Sequence, residues 1–276
     1  MIKMIASDMD GTFLDASGSY DHEEFHRLIK RLRAQDISFV VASGNSIPRL
    51  RMMFGDLVNQ LDFVAENGAH LLVNGKTVAR HQMSKSDVTA FLDYFEGQYQ
   101  ELKITLTGIN GTYMVKGTSF KVDTSKITPE EAEIFIHSVQ EVEYLSDILM
   151  NDDIMKIFMM ADLESCQRVE EQFNRQFTGN LRAITSGFDT VDFIQKGIDK
   201  GWGLEQLMVK EGIDSRQLMA FGDGGNDIEM LKLAGHSFAM ANATANVKQV
   251  ARAIAPSNSQ NGVFRTIEVY LQEIEN

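Results

Sequence analysis

The sequence predicts an α/β protein in which a parallel-sheet core is interrupted by an inserted α+β module. Two observations carry this. Apolar runs of strand length alternate with amphipathic helical stretches from Met4 to Ala65 and again from Gly203 onward, which is the pattern of βαβ units. Between them, from Met83 to Ser186, the alternation gives way to a different mixture of helix and strand signals.

Met4-Ile5-Ala6 is the first strand; it ends at Ser7-Asp8 and is too short for the apolar region of a secretory signal. Phe25, Leu28, Ile29 and Leu32 then recur at helical spacing, with acids early and bases late as the helix dipole favours. Ile37-Ser38-Phe39-Val40-Val41-Ala42 is nearly all apolar, as a strand buried on both faces of a parallel sheet must be. A helix begins near Pro48, Leu61 to Ala65 is another strand, and Asn67-Gly68 between apolar runs predicts a hairpin.

In the insertion, Val88, Phe91, Leu92 and Phe95 mark a helix, and Leu102 to Leu106 and Tyr113 to Val115 read as strands. Thr128-Pro129-Glu130-Glu131 is a capping box with proline at the first helical position, opening a helix through Ile134, Phe135 and Val139. Ile154 to Met160 is strand-like, a helix surrounds Val169 and Phe173, and Leu181 to Thr185 closes the segment. The core pattern then resumes with a helix at Gly203 to Met208, the strand Leu218 to Phe221, and a helix from Asn226 to Ala234 ended by Gly235. The expected division is residues 1–82 and 187–276 for the core and 83–186 for the insertion, with hinges near Gln82 and Gly187.

At 276 residues and 43% hydrophobic content, the chain can bury a sizeable core. Its net charge of -13 argues against nucleic acid or an anionic membrane as a general partner, and no apolar run is long enough to span a bilayer. An anionic small substrate would need a metal or individual basic side chains beside it. The single Cys166 cannot form an intrachain disulfide and reads as a small buried helix residue, so the cytoplasm is the expected compartment. A monomer or a small homo-oligomer is expected.

The conspicuous polar residues fall at strand ends, where open parallel sheets bind ligands. Asp8 and Asp10 follow the first strand on a turn at Gly11. Clustered carboxylates repel unless a cation offsets them, and the hard oxygen set suits a divalent ion such as Mg2+. Ser43-Gly44-Asn45 ends a second strand with a hydroxyl and backbone N–H groups able to hold phosphoryl oxygens. Gly222-Asp223-Gly224-Gly225-Asn226-Asp227 ends a third with two more carboxylates and an amide. A turn or a helix cap would explain any one alone. Lys200, before the Asp223 strand, supplies a cation expected at the rim of the same crevice.

Taken in order, Asp8-Met9-Asp10-Gly11-Thr12, Ser43-Gly44, Lys200 and Gly222 to Asp227 resemble the four motifs of the haloacid-dehalogenase-like phosphohydrolases. Val64 to Ala69, Ala241-Asn242-Ala243 before Val247-Lys248, and Asn261-Gly262-Val263 resemble its Cof-type branch, whose cap lies between the second and third motifs. The resemblance implies a Rossmann-like core with an inserted α+β cap that closes over the substrate and selects the leaving group. Ser43-Gly44-Asn45 departs from the Thr-Gly-Arg frequent in that branch and is similar instead to its bacterial sugar-phosphatase members. The missing arginine would leave anion binding to Lys200, the metal and backbone amides.

By the same resemblance Asp8 is the nucleophile that forms an aspartyl-phosphate, and Asp10 is general acid and then base. Mg2+ is implied on Asp8, the Asp10 main-chain carbonyl and Asp223, and the phosphoryl oxygens on Ser43, Gly44, Asn45, Lys200 and Asn226. Thr12 and Asp227 are supporting residues, Asp227 either orienting Lys200 or serving the metal's outer shell. The expected activity is Mg-dependent hydrolysis of a small phosphate monoester, a sugar phosphate by resemblance. A phosphomutase or phosphotransferase shares the chemistry, and a noncatalytic receiver-type phospho-acceptor shares the acids and the lysine but has no use for Asp10 or a cap.

Overall fold

The structure is a computed structural model that describes residues 1–119, 133, 136–186 and 189–275. The chain divides into two units, Met1–Ala79 with Asp199–Asn276, and Arg80–Ile198. The first unit begins with β1 (Met4–Ser7), α1 (His22–Ala34), β2 (Ser38–Ala42), α2 (Ile47–Phe54), β3 (Asp62–Ala65), β4 (His70–Val73) and β5 (Lys76–Arg80). The four residues of β1 are buried throughout, as the apolar run requires. In α1 the Asp21 carboxylate caps the first turn by accepting from the Glu24 N–H (2.8 Å), and Phe25, Leu28, Ile29 and Leu32 form the buried face.

The second unit contains α3 (Lys85–Tyr94), β6 (Thr105–Gly108), β7 (Thr112–Val115), β8 (Val139–Val142), β9 (Ile154–Met160), α4 (Leu163–Gln176), β10 (Leu181–Ser186) and β11 (Thr190–Gln195). Its six-stranded sheet has the order β10-β11-β9-β6-β7-β8. Alternate strand residues, Ile157 and Met159 with Val191 and Phe193, share a core with Phe91 of α3 and Cys166 and Phe173 of α4. The Phe193 ring stands 4.7 Å from Phe91 and 4.8 Å from Phe173, both edge-on, so this unit has a hydrophobic core of its own.

The first unit resumes with α5 (Lys200–Glu211), β12 (Leu218–Gly222), α6 (Ile228–Leu233), β13 (His236–Met240), α7 (Ala245–Val250), β14 (Ala253–Ala255) and α8 (Gly262–Glu275). Its eight-stranded sheet runs β14-β13-β12-β1-β2-β3-β4-β5, parallel from β14 to β3 and antiparallel where β4 returns from the Asn67-Gly68 hairpin. The chain order reverses across β1, with β2 on one side and β12 on the other. That makes their carboxyl ends the switch point, where crevices of open sheets lie.

Several expectations shift. The strand expected from Leu102 begins at Thr105, because the Leu102 and Ile104 N–H groups bond back to Gln98 and Tyr99 and Lys103 takes a left-handed turn conformation at φ 49°. Val139 opens β8 instead of continuing a helix, since it pairs in parallel with Thr112 of β7. The helix expected from Asn226 starts at Ile228 after a tighter turn over Gly225–Asp227. The second unit continues to Ile198, because β11 pairs antiparallel with β10 and β9 and a division at residue 187 would cut that hairpin. Thr128 to Glu131, Ile134, Phe135 and the Gly187 hinge lie outside the described residues.

Asp62, at the amino end of β3, is buried and accepts from the Asn74 N–H (2.9 Å). Burial raises its pKa, against the Asn74 amide and the charges of Lys210 and Arg33. An acid with a raised folded pKa stabilises while protonated, below its unfolded value, and loses that contribution as pH rises through the folded one. Asp62→Asn keeps an acceptor for Asn74 and removes the charge. Its melting midpoint is expected to exceed the parent's at about pH 7, with the advantage shrinking toward about pH 3; an unchanged or lower midpoint at neutral pH contradicts this account.

Candidate active site

Three strands end at one place. The β1 ladder runs one residue past the strand, with the Asp8 N–H on Phe221 O (3.0 Å), and then the chain turns. Gly11 has φ +80°, and a Cβ there would lie 2.5 Å from Asp223 Oδ2. Only glycine therefore lets this loop approach the end of β12. Thr12 Oγ1 donates to Asp223 Oδ1 (2.7 Å) and Asn242 Nδ2 to Gly11 O (2.7 Å), fixing the loop from two sides. The next residue, Phe13, is held among Phe25 (4.8 Å), Phe264 (5.1 Å) and Tyr20 (5.2 Å).

Lys200, expected at the rim, is fully buried. It is the first residue of α5, whose start is capped by Asp199 accepting from the Trp202 N–H (2.9 Å). Nζ donates to Asp8 Oδ1 and to Asp227 Oδ1 (2.7 Å). Asp227 Oδ2 accepts from the N–H groups of Asp223 and Gly224 (both 2.9 Å), so one carboxylate ties the lysine to the loop after β12. Burial lowers the Lys200 pKa, but the Asp227 and Asp8 charges outweigh it and hold the ammonium above its ordinary range.

The acids show the opposite strain. Asp8 is raised well above the usual carboxylate range by burial first, then by Asp227, Asp223 and Asp10, against the pull of Lys200. Asp223 is pushed up to about 6 by burial and the Asp227 charge, against the Thr12 hydrogen bond and Lys200. One lysine does not neutralise these carboxylates. Oxygens of Asp8, Asp223 and Asp227 lie within 4.8 Å of one another, a hard donor set that fits a divalent cation.

The end of β2 supplies the third side. Ser43 Oγ accepts from the Asn45 N–H (3.1 Å), which leaves the hydroxyl its own proton to donate, and Gly44 follows in the turn. Asn45, expected to face a phosphate, instead donates from Nδ2 to Asp10 Oδ2 (3.0 Å) and accepts from Arg49 Nη1 (3.1 Å). Asn226 Nδ2 donates to Asn67 Oδ1 (3.0 Å). Gly68, at φ +105°, packs on the backbone ahead of Lys200, where a Cβ would lie 2.2 Å from Asp199 O. The structure thus brings Asp8, Asp10, Thr12, Asp223, Asp227 and Lys200 together, with Ser43 and Asn45 joined through Asp10 and Asn226 through Asn67. Sequence reasoning missed Arg49, and it quoted Asn67 and Asn242 only within family motifs, without a role in the site. Arg49 could have been found from its spacing, four residues from Asn45 at the start of a helix.

Fold and site define a hydrolase of the phosphatase class. The haloacid dehalogenase-like hydrolase family matches residues 5–267, and the chain belongs to that family. It is similar to the 5-amino-6-(5-phospho-D-ribitylamino)uracil phosphatase YbjI of Escherichia coli (strain K12), with 35% identity over 271 residues, 98% of this chain and 97% of that protein. The crystal structure of SMU.1108c from Streptococcus mutans UA159 is similar at a TM-score of 0.86 and 37% identity, covering 99% of this chain and 100% of that one. A haloacid dehalogenase-like hydrolase from B. subtilis, at 19% identity, shares the fold with a TM-score of 0.81 over 97% of this chain and 99% of its own. Among the described residues no helix is long and apolar enough to cross a membrane.

Lys200→Met leaves Asp8 and Asp227 buried without their cation. Thermal or denaturant unfolding is expected to show a loss of ~3–5 kcal/mol, and adding Asp227→Asn should recover part of it. A single variant as stable as the parent would show that the lysine is not compensating these carboxylates.

Proposed function

We propose that the protein is a Mg2+-dependent phosphatase that hydrolyses a sugar phosphate through an aspartyl-phosphate. The observation that carries this reading is the convergence of two acids at the end of β1, Asp8 on the Lys200 ammonium and Asp10 on the Asn45 amide. Two carboxyls at one strand end can divide the work, one attacking phosphorus and the other moving the proton, once a divalent cation joins Lys200 in offsetting the burial and neighbouring acids that raise Asp8.

Asp8 attacks phosphorus as the bond to the leaving oxygen breaks, and Asp10 gives that oxygen its proton. Asp10 then takes a proton from the water that attacks the aspartyl-phosphate, releasing phosphate and restoring Asp8. Lys200, the Ser43 hydroxyl, the Gly44 backbone and Asn226 would hold the phosphoryl oxygens, since phosphoryl transfer is mainly positioning and charge stabilisation. Mg2+, held by Asp8, the Asp10 main-chain carbonyl and Asp223, would offset the carboxylate charge and attract the anionic substrate. Asp227 orients Lys200, as its hydrogen bonds support.

The inserted unit carries none of the residues assigned to phosphoryl chemistry, so selection of the leaving group is assigned to it. A sugar phosphate is supported by the name of the relative above, whose substrate carries its phosphate on a ribityl chain. A panel of phosphate esters tests this directly: sugar and sugar-alcohol phosphates should release phosphate with the highest kcat/KM, and preference for a nucleotide or a phosphopeptide would overturn the substrate class.

Asp8→Asn should abolish turnover. Asp10→Asn should slow phosphorylation by a sugar phosphate ~10²–10⁴-fold but by much less with p-nitrophenyl phosphate, whose leaving group needs little protonation. Equal single-turnover losses for both substrates would remove Asp10 from the acid role. Exhaustive chelation should stop phosphate release, Mg2+ should restore it, and Asp223→Ala should raise the concentration required; full activity without metal would defeat the mechanism.

A further inference from the structure

Position 45 holds asparagine rather than arginine, yet a cation reaches this strand end from one helical turn further on. Arg49 lies in the first turn of α2. Its Nη1 donates to Asn45 Oδ1 (3.1 Å), and Asn45 Nδ2 donates to Asp10 Oδ2 (3.0 Å). The two flanks fix the orientation of the amide. A guanidinium offers only donors, so a reversed amide would set donor against donor at Arg49 and its oxygen against a carboxylate at Asp10. The Asn45 N–H on Ser43 Oγ (3.1 Å) anchors the middle of this chain to the end of β2.

We propose that Arg49 is a positioning residue for the acid–base carboxyl: acting through the Asn45 carboxamide, it fixes the orientation from which Asp10 serves the leaving group. This rests on the reading of Asp10 as acid and base. An N–H fixed at Oδ2 sets the rotation of the carboxyl about its Cβ–Cγ bond, and so where its other oxygen stands. The guanidinium polarises the carboxamide and strengthens the N–H that does this, because hydrogen bonds in a chain reinforce one another. Without Arg49 the amide loses its directional lock, and Asp10 spends part of its time turned away from the leaving group.

The test is single-turnover phosphorylation of the full-length protein with Mg2+, using a sugar phosphate and p-nitrophenyl phosphate, for Arg49→Ala, Arg49→Lys, Asp10→Asn and the Arg49→Ala/Asp10→Asn double variant. Arg49→Ala is expected to lose about ten- to a hundredfold with the sugar phosphate, the scale of a misplaced catalytic group, and little with the aryl phosphate. Arg49→Lys should recover most of the loss, since an ammonium can also donate to Asn45 Oδ1. In the Asp10→Asn background, Arg49→Ala should add no further loss. Equal losses on both substrates, or a loss that adds fully to that of Asp10→Asn, would overturn the proposal. Leaving-group dependence in Asp10→Asn without any in Arg49→Ala refutes the proposal alone, whereas its absence in Asp10→Asn refutes the acid role and the proposal with it.

Discussion

The buried ammonium of Lys200 is the constraint on which the rest of the first unit's site depends. A charge removed from water must be matched by opposite charge and hydrogen bonds at once. Asp8 and Asp227 meet that demand, and each is in turn fixed by backbone, Asp8 by the ladder of β1 and β12 and Asp227 by the loop N–H groups after β12. The Asp199 cap and the close approach of Gly68 locate the helix that carries the lysine. Well-packed apolar residues in place of such a triad are often as stable or more so. What the charges provide is a preorganised field at the point where an anion is to react.

Around that centre, the side chains that hold other groups in place are mostly uncharged. Asn242 bonds Gly11, Thr12 bonds Asp223, Asn45 bonds Asp10 and Asn67 bonds Asn226. In a crevice crowded with carboxylates this choice is physically apt. A neutral amide or hydroxyl can fix an acid's geometry without adding the charge that a lysine or arginine in direct contact would bring. It also adds no negative charge to groups that already repel one another. The arginine of the set acts at one remove, through an amide.

Much of the fold was legible because its periodicities are strong. The helix of Phe25, Leu28, Ile29 and Leu32 and the strand Ile154 to Met160 were readable because burial dictates every residue on one face or both. The elements that moved are ones that sequence periodicity does not govern. Leu102 is apolar enough for a strand but lies in a turn, and Val139 belongs to a strand because of a partner far away in sequence. Asp8, Asp10, Thr12, Asp223, Asp227 and Lys200 were all foreseen to converge, since strand ends in a parallel sheet share one edge. The burial of Lys200 and the diversion of Asn45 to Asp10 were not, because both depend on where α5 and α2 dock.

The position of β1 has a consequence for how the chain is made. This strand is the centre of the eight-stranded sheet, but one of its two neighbours is supplied by Leu218–Phe221, beyond the whole second unit. At ~5–20 residues per second, the usual rate of synthesis, the hydrogen-bonding edge of β1 stays open for on the order of ten seconds or more after it emerges. During that interval an apolar strand edge is exposed, and the second unit, with its own core, can fold first. The arrangement that places Asp8 beside Asp223 thus keeps the two acids apart until most of the chain has been made.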